Sequence, residues 1–185
     1  YQLGDGAPAY PMITSAGADA LIGWAALSGL AADPATAGML YAVSDSVLRN
    51  MPSIYTIDVT QTPARITKAI TVTRDGMPAQ KLDLEGITTD GKGGFWLASE
   101  GRTDRLFPHG LLHVNDKGAI TKEIGLPAAL LAHEIRFGFE GVALAEDTLW
   151  MAVQREWKDD AAGMVKLVAY NTKDDTWGAV HYPLD

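Results

Sequence analysis

The sequence predicts an all-β fold of the β-propeller type, with about three four-stranded blades in the chain. The first observation is a repeat, since a glycine within a short apolar segment recurs at Gly29, Gly86 and Gly141, at intervals of 57 and 55 residues. The second is composition, because 19 glycines and 9 prolines in 185 residues are typical of many short strands joined by turns. Repeats of this length with four strands each indicate propeller blades.

Each repeat divides into two predicted hairpins. The first strand carries the glycine, a polar turn follows, and the second strand is a continuous apolar run, as in residues 95–98. A further strand pair completes each unit, so the blades are predicted at about residues 24–75, 82–126 and 137–183.

Three blades do not close a ring, because known propellers typically have four to eight. The chain is therefore predicted to belong to a larger ring of six or seven blades. The other blades would come from the rest of a parent chain or from another chain.

Two further elements follow from local signals. Pro127 and Gly138 are typical start and stop residues for a helix over 127–136, between the second and third blades. Trp96 and Trp150 occupy equivalent positions in their strands, so both are predicted to be buried between blades.

Charge and composition exclude several classes of function. The chain has 23 acidic and 15 basic side chains, a formal net charge of −8 and no cluster of Lys or Arg, which argues against a nucleic-acid partner. Cysteine is absent, so disulfides and cysteine catalysis are excluded. No apolar stretch reaches the roughly 20 residues of a spanning helix, so no membrane span is predicted. The chain begins at Tyr1 without a methionine, as expected after removal of a signal peptide.

Acidic side chains recur at corresponding places in the repeats. Glu85 opens the first strand of its hairpin and Glu100 closes the second, and Glu140 and Glu156 are predicted to repeat this arrangement. Asp45 closes the corresponding hairpin of the first repeat. Because antiparallel strands return to the level at which they started, all five carboxylates are predicted to converge at one mouth of the propeller channel.

Five like charges in one place require a neutralising group. Oxygen ligands from several segments suit calcium, which takes six to eight oxygens. Arginine is the other candidate, and Arg49, Arg102 and Arg155 lie near the closing acids. A simpler interpretation stays open, in which each Glu-Gly pair is a blade corner whose carboxylate accepts backbone N–H groups.

The histidines show no metal-ligand spacing, and surface or loop positions are expected for His109, His113, His133 and His181. His109 belongs to the polar loop 101–110 that follows Glu100, so a contact with a phosphate is a second expectation for this residue.

Two motifs resemble the phytase-like family of bacterial proteins, which is also described by the esterase-like activity of phytase. They lie at residues 83–101 and 138–156, and each contains a Glu-Gly pair followed by a strand and a closing acid. The Ser44-Asp45 pair is similar to an upstream motif of the family. The resemblance implies an exported β-propeller protein, either periplasmic or secreted. By similarity to β-propeller phytases, it also implies Glu85 and Glu100 as calcium ligands, with Glu140 and Glu156 as their repeat equivalents.

Two hypotheses of function follow. The first is a hydrolase of a phosphoester or another ester, in which calcium activates a water and two arginines stabilise developing negative charge. Its metal ligands would be Asp45, Glu85, Glu100, Glu140 and Glu156, and its catalytic residues Glu85, Glu140, Arg102 and Arg155. The second is a non-catalytic propeller that binds a ligand or a protein partner, with structural acids or a structural calcium. A lactonase-like propeller would use a similar metal site, but no motif marks it.

Overall fold

A computed structural model describes residues 12–14, 21–45, 51–101 and 107–184 of the chain, and for 12–14 and 21–23 the backbone alone. Within these ranges, three four-stranded antiparallel sheets follow one another along the chain. Consecutive strands are neighbours in every sheet, as in the blades of a propeller. The predicted all-β fold with four-stranded, blade-like units is confirmed.

The strands have the following bounds. A short ribbon pairs β1 (Met12–Thr14) with β2 (Leu21–Gly23). The first sheet contains β3 (Leu27–Ala32), β4 (Met39–Ser44), β5 (Ser53–Asp58) and β6 (Arg65–Thr71). A second ribbon pairs β7 (Thr73–Arg74) with β8 (Met77–Pro78). The second sheet contains β9 (Leu84–Thr89), β10 (Phe95–Ser99), β11 (Gly110–Val114) and β12 (Ile120–Gly125). The third contains β13 (Phe139–Ala145), β14 (Thr148–Val153), β15 (Met164–Asn171) and β16 (Trp177–Pro183).

The helix predicted over 127–136 is shorter than expected. It is a single turn, α1 (Ala128–Leu131), that begins directly after Pro127 and has no buried residue. Of its four apolar residues, Leu130 alone packs against the core, and it is only partly buried. Short helices depend on the packing of an apolar face, and this limited contact accounts for the single turn. Within the described residues, no helix has the length and apolar character needed to cross a membrane.

The apolar core lies between neighbouring sheets. Val43 of the first sheet packs in one cluster with Leu97 of the second. Leu111 of the second sheet packs in another cluster with Phe139 of the third. Each sheet is therefore held to the next by buried side chains, as expected of adjacent blades.

The inner strands β3, β9 and β13 meet backbone to backbone at the repeat glycines. A methyl group added at Gly29 would lie 2.9 Å from the Cα of Gly86, and one added at Gly86 would lie 2.7 Å from the backbone nitrogen of Val142. Side-chain carbons essentially never approach other atoms so closely. Only glycine permits this contact, which accounts for its recurrence in the repeats.

The third repeat glycine faces open space. Among the described residues, no atom lies within 4 Å of a methyl group added at Gly141. On the same sheet, Trp150 is 36% exposed, whereas the equivalent Trp96 is 8% exposed. The prediction of burial between sheets is therefore confirmed for Trp96. Trp150 is exposed, because no described sheet covers the outer face of the third, so its burial stays a prediction.

We predict that Gly86→Ala lowers the free energy of unfolding by about 1–3 kcal/mol, because the added methyl group forces the second and third inner strands apart. Gly141→Ala is the matched control, since it makes the same change at the equivalent position and its methyl group meets no described atom. Its expected effect is below about 0.5 kcal/mol. Urea denaturation followed by circular dichroism measures both values. Equal destabilisation by the two substitutions would contradict the close approach at Gly86.

Candidate metal centre

A β-bulge turns one residue out of the strand pairing at the same end of each inner strand. In the second sheet the register skips Glu85, and in the third it skips Glu140. The first sheet has its bulge at the corresponding place, between Leu27 and Leu30, where Ser28 precedes the repeat glycine. Bulges re-aim side chains. The repeated residue before glycine is thus a bulged corner, with serine in the first sheet and glutamate in the other two.

The end of each first hairpin is fixed by one backbone hydrogen bond. In every sheet, the N–H of the closing residue donates to the carbonyl oxygen of the residue before the inner strand. The donors are Asp45, Glu100 and Gln154, at N···O distances of 3.0, 2.7 and 2.9 Å. The counterpart of Glu100 in the third sheet is therefore the amide Gln154, and Glu156 lies two residues beyond it.

Three carboxylates form a tight group where the first and second sheets meet. Asp45, Asp83 and Glu85 each place a carboxylate oxygen within 4.8 Å of the other two. Asp83 and Glu85 are buried and Asp45 is half-buried. We call these three residues, together with Glu100 and Glu140, the acidic group.

The five carboxyls of the acidic group share one electrostatic environment. Burial raises the pKa of Glu85 to about 7, and the nearby charges of Asp45 and Asp83 add to the shift. Burial also raises the pKa of Glu100 to about 7, together with the charge of Glu140. The pKa of Glu140 is raised by its burial and by the charge of Glu85. Each of these groups resists ionisation because its neighbours are negative and water is scarce.

Two hydrogen bonds between sheets hold the glutamates of the acidic group. The Ser28 hydroxyl of the first sheet donates to the carboxylate of Glu85 in the second. The backbone N–H of Gly138, which enters the third sheet, donates to Oε1 of Glu100 at 2.9 Å. Both bonds favour the ionised carboxylate and thus oppose the effect of burial.

Two members of this site were not predicted from the sequence. Asp83 has no acidic counterpart in the other repeats, where Ala26 and Gly138 stand at its position, so the repeat contains no signal for it. For Ser28 a signal exists, because Ser28-Gly29 aligns with the later Glu-Gly pairs.

The structure does not bring Glu156 together with the acidic group. Its side chain is exposed, and its carboxylate accepts the N–H of Gly163. It lines an open cleft of about 550 Å³ together with Ile135, Phe137, Arg155 and Leu184. Of the predicted arginines, Arg155 is thus placed in this cleft, while Arg49 and Arg102 lie outside the described residues.

A further arginine beside this cleft was not predicted. The guanidinium carbons of Arg155 and Arg136 lie 4.5 and 5.3 Å from the centroid of the Phe137 ring. The charge of Arg136 opposes the burial that raises the pKa of Glu100, so it lies near the acidic group. The sequence pattern predicted a helix that included Arg136, so its position just before the third sheet was not expected.

His109 lies in the loop before β11, as one of the two expectations had it, but it is buried and not at the surface. Its side chain is 0% exposed. Nδ1 accepts the N–H of Gly101 at 2.9 Å, and the ring lies beside Phe139 and Trp157. The expectation of a phosphate contact is wrong as well, because a ring without exposed surface cannot meet a ligand from solution.

Comparison with known proteins assigns the chain to a family. The model of the phytase-like family, described by the esterase-like activity of phytase, matches residues 22–185. The chain belongs to the phytase-like family. The predicted resemblance is thereby confirmed, and the matched residues of this phytase-like chain include the whole acidic group.

No curated protein matches the chain. Among solved structures, it is similar to luciferin-regenerating enzyme, with 14% sequence identity and a TM-score of 0.46. That alignment covers 87% of the chain and 45% of the luciferin-regenerating enzyme, so the chain spans less than half of that protein.

The raised pKa values predict that the metal-free protein loses stability as the pH rises. In the folded state Glu85 and Glu100 titrate at about 7, compared with an ordinary value of 4.5. Between these pH values Glu85 and Glu100 bind more protons in the folded than in the unfolded chain, so their contribution to the free energy of unfolding falls with rising pH. Thermal unfolding in the presence of EDTA, from about pH 4.5 to about pH 8, measures this trend.

Two substitutions separate the acidic group from other sources of pH dependence. Glu85→Gln removes one titrating group, so the fall in stability should become shallower. Glu146→Gln replaces an exposed glutamate in a turn and should leave the slope as in the wild type. An unchanged slope in Glu85→Gln would show that Glu85 does not resist ionisation.

Proposed function

We propose that this chain forms part of an exported hydrolase of phosphoesters or other esters, with calcium bound by the acidic group. The observation that carries the proposal is the placement of Asp45, Asp83 and Glu85, whose oxygens lie within 4.8 Å of one another. Membership of a family described by the esterase-like activity of phytase supports ester hydrolysis.

The donor set of the acidic group fits calcium. All its donors are carboxylate oxygens, which are the ligands that hard cations prefer, and it contains neither the nitrogen nor the sulfur donors that are typical of zinc. Asp45, Asp83 and Glu85 would hold the ion. Glu100 and Glu140 interact electrostatically with Glu85, so they would also attract the cation. Calcium, when bound, would neutralise these carboxylates and polarise an ester oxygen.

The side chains supply the proton transfers that ester hydrolysis requires. The oxygen of a water forms a bond to phosphorus or to the carbonyl carbon, and the ester bond breaks as the alcohol leaves. Glu140 accepts the proton of this water and returns it to the leaving oxygen, a role that suits a carboxyl with a raised pKa. Glu85 accepts a hydrogen bond from the same water and so orients it.

Positive charge between the acidic group and the cleft supports an anionic substrate, since Arg136 acts on the pKa of Glu100 and Arg155 lines the cleft. Arg155 and Arg136 lie over the same Phe137 ring at the edge of the cleft. Guanidinium groups bind phosphate and carboxylate oxygens through paired N–H donors, and they stabilise charge that develops during the reaction. Arg102 is proposed from the sequence for the same role.

Ligand binding without catalysis is the second candidate function. It is favoured by the hydrogen bonds that Ser28 and Gly138 donate to Glu85 and Glu100, because a carboxylate at a structural corner needs such partners. In this case the acidic group would stabilise the junction of the sheets, with or without a structural calcium.

The outer face of the third sheet is the proposed contact for a further blade. Gly141 leaves room for another inner strand at the position where Gly29 and Gly86 already receive one, and Trp150 is exposed on the same sheet. The additional sheet would come from the rest of a parent chain or from another chain.

We expect calcium chloride to bind the EDTA-treated protein and to raise its melting temperature, because the cation binds the folded state preferentially. Asp83→Asn should weaken calcium affinity by about tenfold or more, since it removes a charged oxygen ligand. Asp116→Asn is the matched control, because Asp116 is exposed in the turn between β11 and β12. Isothermal titration calorimetry measures the affinities, and equal affinities of the two variants would remove Asp83 from the site.

Catalysis is tested with the full-length protein, on phytate, an aryl phosphate and an aryl acetate, with calcium and with EDTA. We expect calcium-dependent turnover that falls by about 100-fold or more in Glu140→Gln, because a general base contributes about that much. Arg155→Gln should raise KM for the phosphate ester more than for the neutral acetate. Calcium binding without turnover on any of these substrates would favour the second candidate, and full activity of Glu85→Gln and Glu140→Gln would exclude the proposed mechanism.

A further inference from the structure

A buried histidine connects the strand end that carries Glu100 to the segment that enters the third sheet. Nδ1 of His109 accepts the N–H of Gly101, the residue after Glu100, at 2.9 Å. Nε2 lies 3.0 Å from the carbonyl oxygen of Ile135 and 2.5 Å from a carboxylate oxygen of Glu134. One ring thus bonds to both sides of the junction between the second and third sheets.

The His109 ring is tightly packed by the described residues around it. A methyl group added at Gly101 or at Gly138 would overlap atoms of the ring. Phe139 and Trp157 lie at centroid distances of 6.2 and 5.9 Å, and no part of the side chain is exposed. The ring is therefore packed directly against both glycines, so its size and position constrain where they can lie.

The same two glycines determine where the Glu100 carboxylate lies. Gly101 follows Glu100 in the chain, and the N–H of Gly138 donates to Oε1 of Glu100 at 2.9 Å. Gly138 also stands two residues before Glu140. A displacement of the ring would move Glu100 relative to Glu140.

We propose that His109 is a positioning residue that sets the separation of Glu100 from Glu140 and thereby the calcium affinity of the acidic group. This inference rests on the calcium site of the proposed function. His109 itself touches neither the ion nor the substrate, because it is buried behind the two glycines.

Histidine suits this position because it presents an acceptor and a donor on one rigid ring. Since Nδ1 accepts the N–H of Gly101, the ring proton must be on Nε2, which donates towards Glu134 and Ile135. Asparagine would retain an acceptor near the Nδ1 position and lose the donor. Phenylalanine would retain the ring volume and lose both bonds.

The experiment compares calcium binding in wild type, His109→Asn, His109→Phe and His113→Asn, by calorimetric titration of calcium chloride into EDTA-treated protein. His113 is the matched control, because it lies in the same sheet but far from the acidic group along the strands. Its Nε2 lies 2.9 Å from a carboxylate oxygen of Asp90, which follows the end of β9 opposite to Glu85. We expect about a tenfold loss of affinity in His109→Asn, a larger loss in His109→Phe and none in His113→Asn.

A second measurement distinguishes positioning from a merely structural role. The preference for calcium over magnesium depends on the geometry of the oxygens. It should therefore decrease in the His109 variants and stay unchanged in His113→Asn. Variants that are folded but less heat-stable in EDTA, with wild-type affinity and wild-type preference, would overturn the proposal.

Carboxyl ¹³C chemical shifts of the metal-free protein test the inference apart from the calcium site. The signals of Glu100 and Glu140 should move in His109→Asn, and that of Glu146, exposed in the turn between β13 and β14, should not. Absence of calcium binding in wild type would contradict the proposed function, whereas unmoved Glu100 and Glu140 signals would contradict the role of His109. If neither His109 variant folds, the ring ¹⁵N signals of the wild type decide, since calcium should shift those of His109 and leave those of His113 in place.

Discussion

The close approach of the inner strands at Gly29, Gly86 and Gly141 is the constraint on which the rest of the structure depends. Because no side chain separates the strands there, the corner of one sheet comes within hydrogen-bonding reach of the next. Ser28 can reach Glu85 across one junction, and the N–H of Gly138 can reach Glu100 across the other. Larger residues at Gly29 or Gly86 would move the adjacent inner strands apart and disrupt these contacts.

The same constraint explains the raised pKa values of three glutamates in the acidic group. Bulged corners and closing residues come from adjacent sheets, so contact between the strands forces several carboxylates into a partly buried space. Burial and mutual repulsion then raise the pKa values of Glu85, Glu100 and Glu140. The apolar clusters between the sheets stabilise the fold against this repulsion. A bound cation would convert the repulsion into attraction, which is the physical basis of the calcium proposal.

Local patterns predicted the sheets well, and they failed where the chain departs from its own repeat. Strand periodicity and the recurring glycine depend on near neighbours in the sequence, so all three sheets could be predicted. The counterpart of Glu100 could not be found by counting, because Gly86 pairs with Ala98 twelve residues later whereas Gly141 pairs with Ala152 after eleven. Contacts between segments that are distant in the sequence produce no periodic pattern in it, so they could not be predicted.

Burial of His109 illustrates this second limit. Its surroundings come from β10, from the segment after α1 and from the loop after β14, and none of these is adjacent to it in the sequence. Only the folded chain brings Gly101 and Gly138 into contact with one ring. A histidine between Pro108 and Gly110 has the local signature of an exposed loop, and tertiary packing overrides that signature.

The two junctions between sheets have the same backbone geometry, and both contain carboxylates. At the junction of the first and second sheets these belong to Asp45, Asp83 and Glu85. At the junction of the second and third they belong to Glu100 and Glu140, and the charge of Glu140 raises the pKa of Glu100. A structural corner requires only that each carboxylate has a hydrogen-bond donor, which Ser28 and Gly138 supply to Glu85 and Glu100. These donors leave the repulsion between the carboxylates in place, and a bound cation would remove it. The remaining repulsion, rather than the corners themselves, is therefore the feature that favours the proposed cation site.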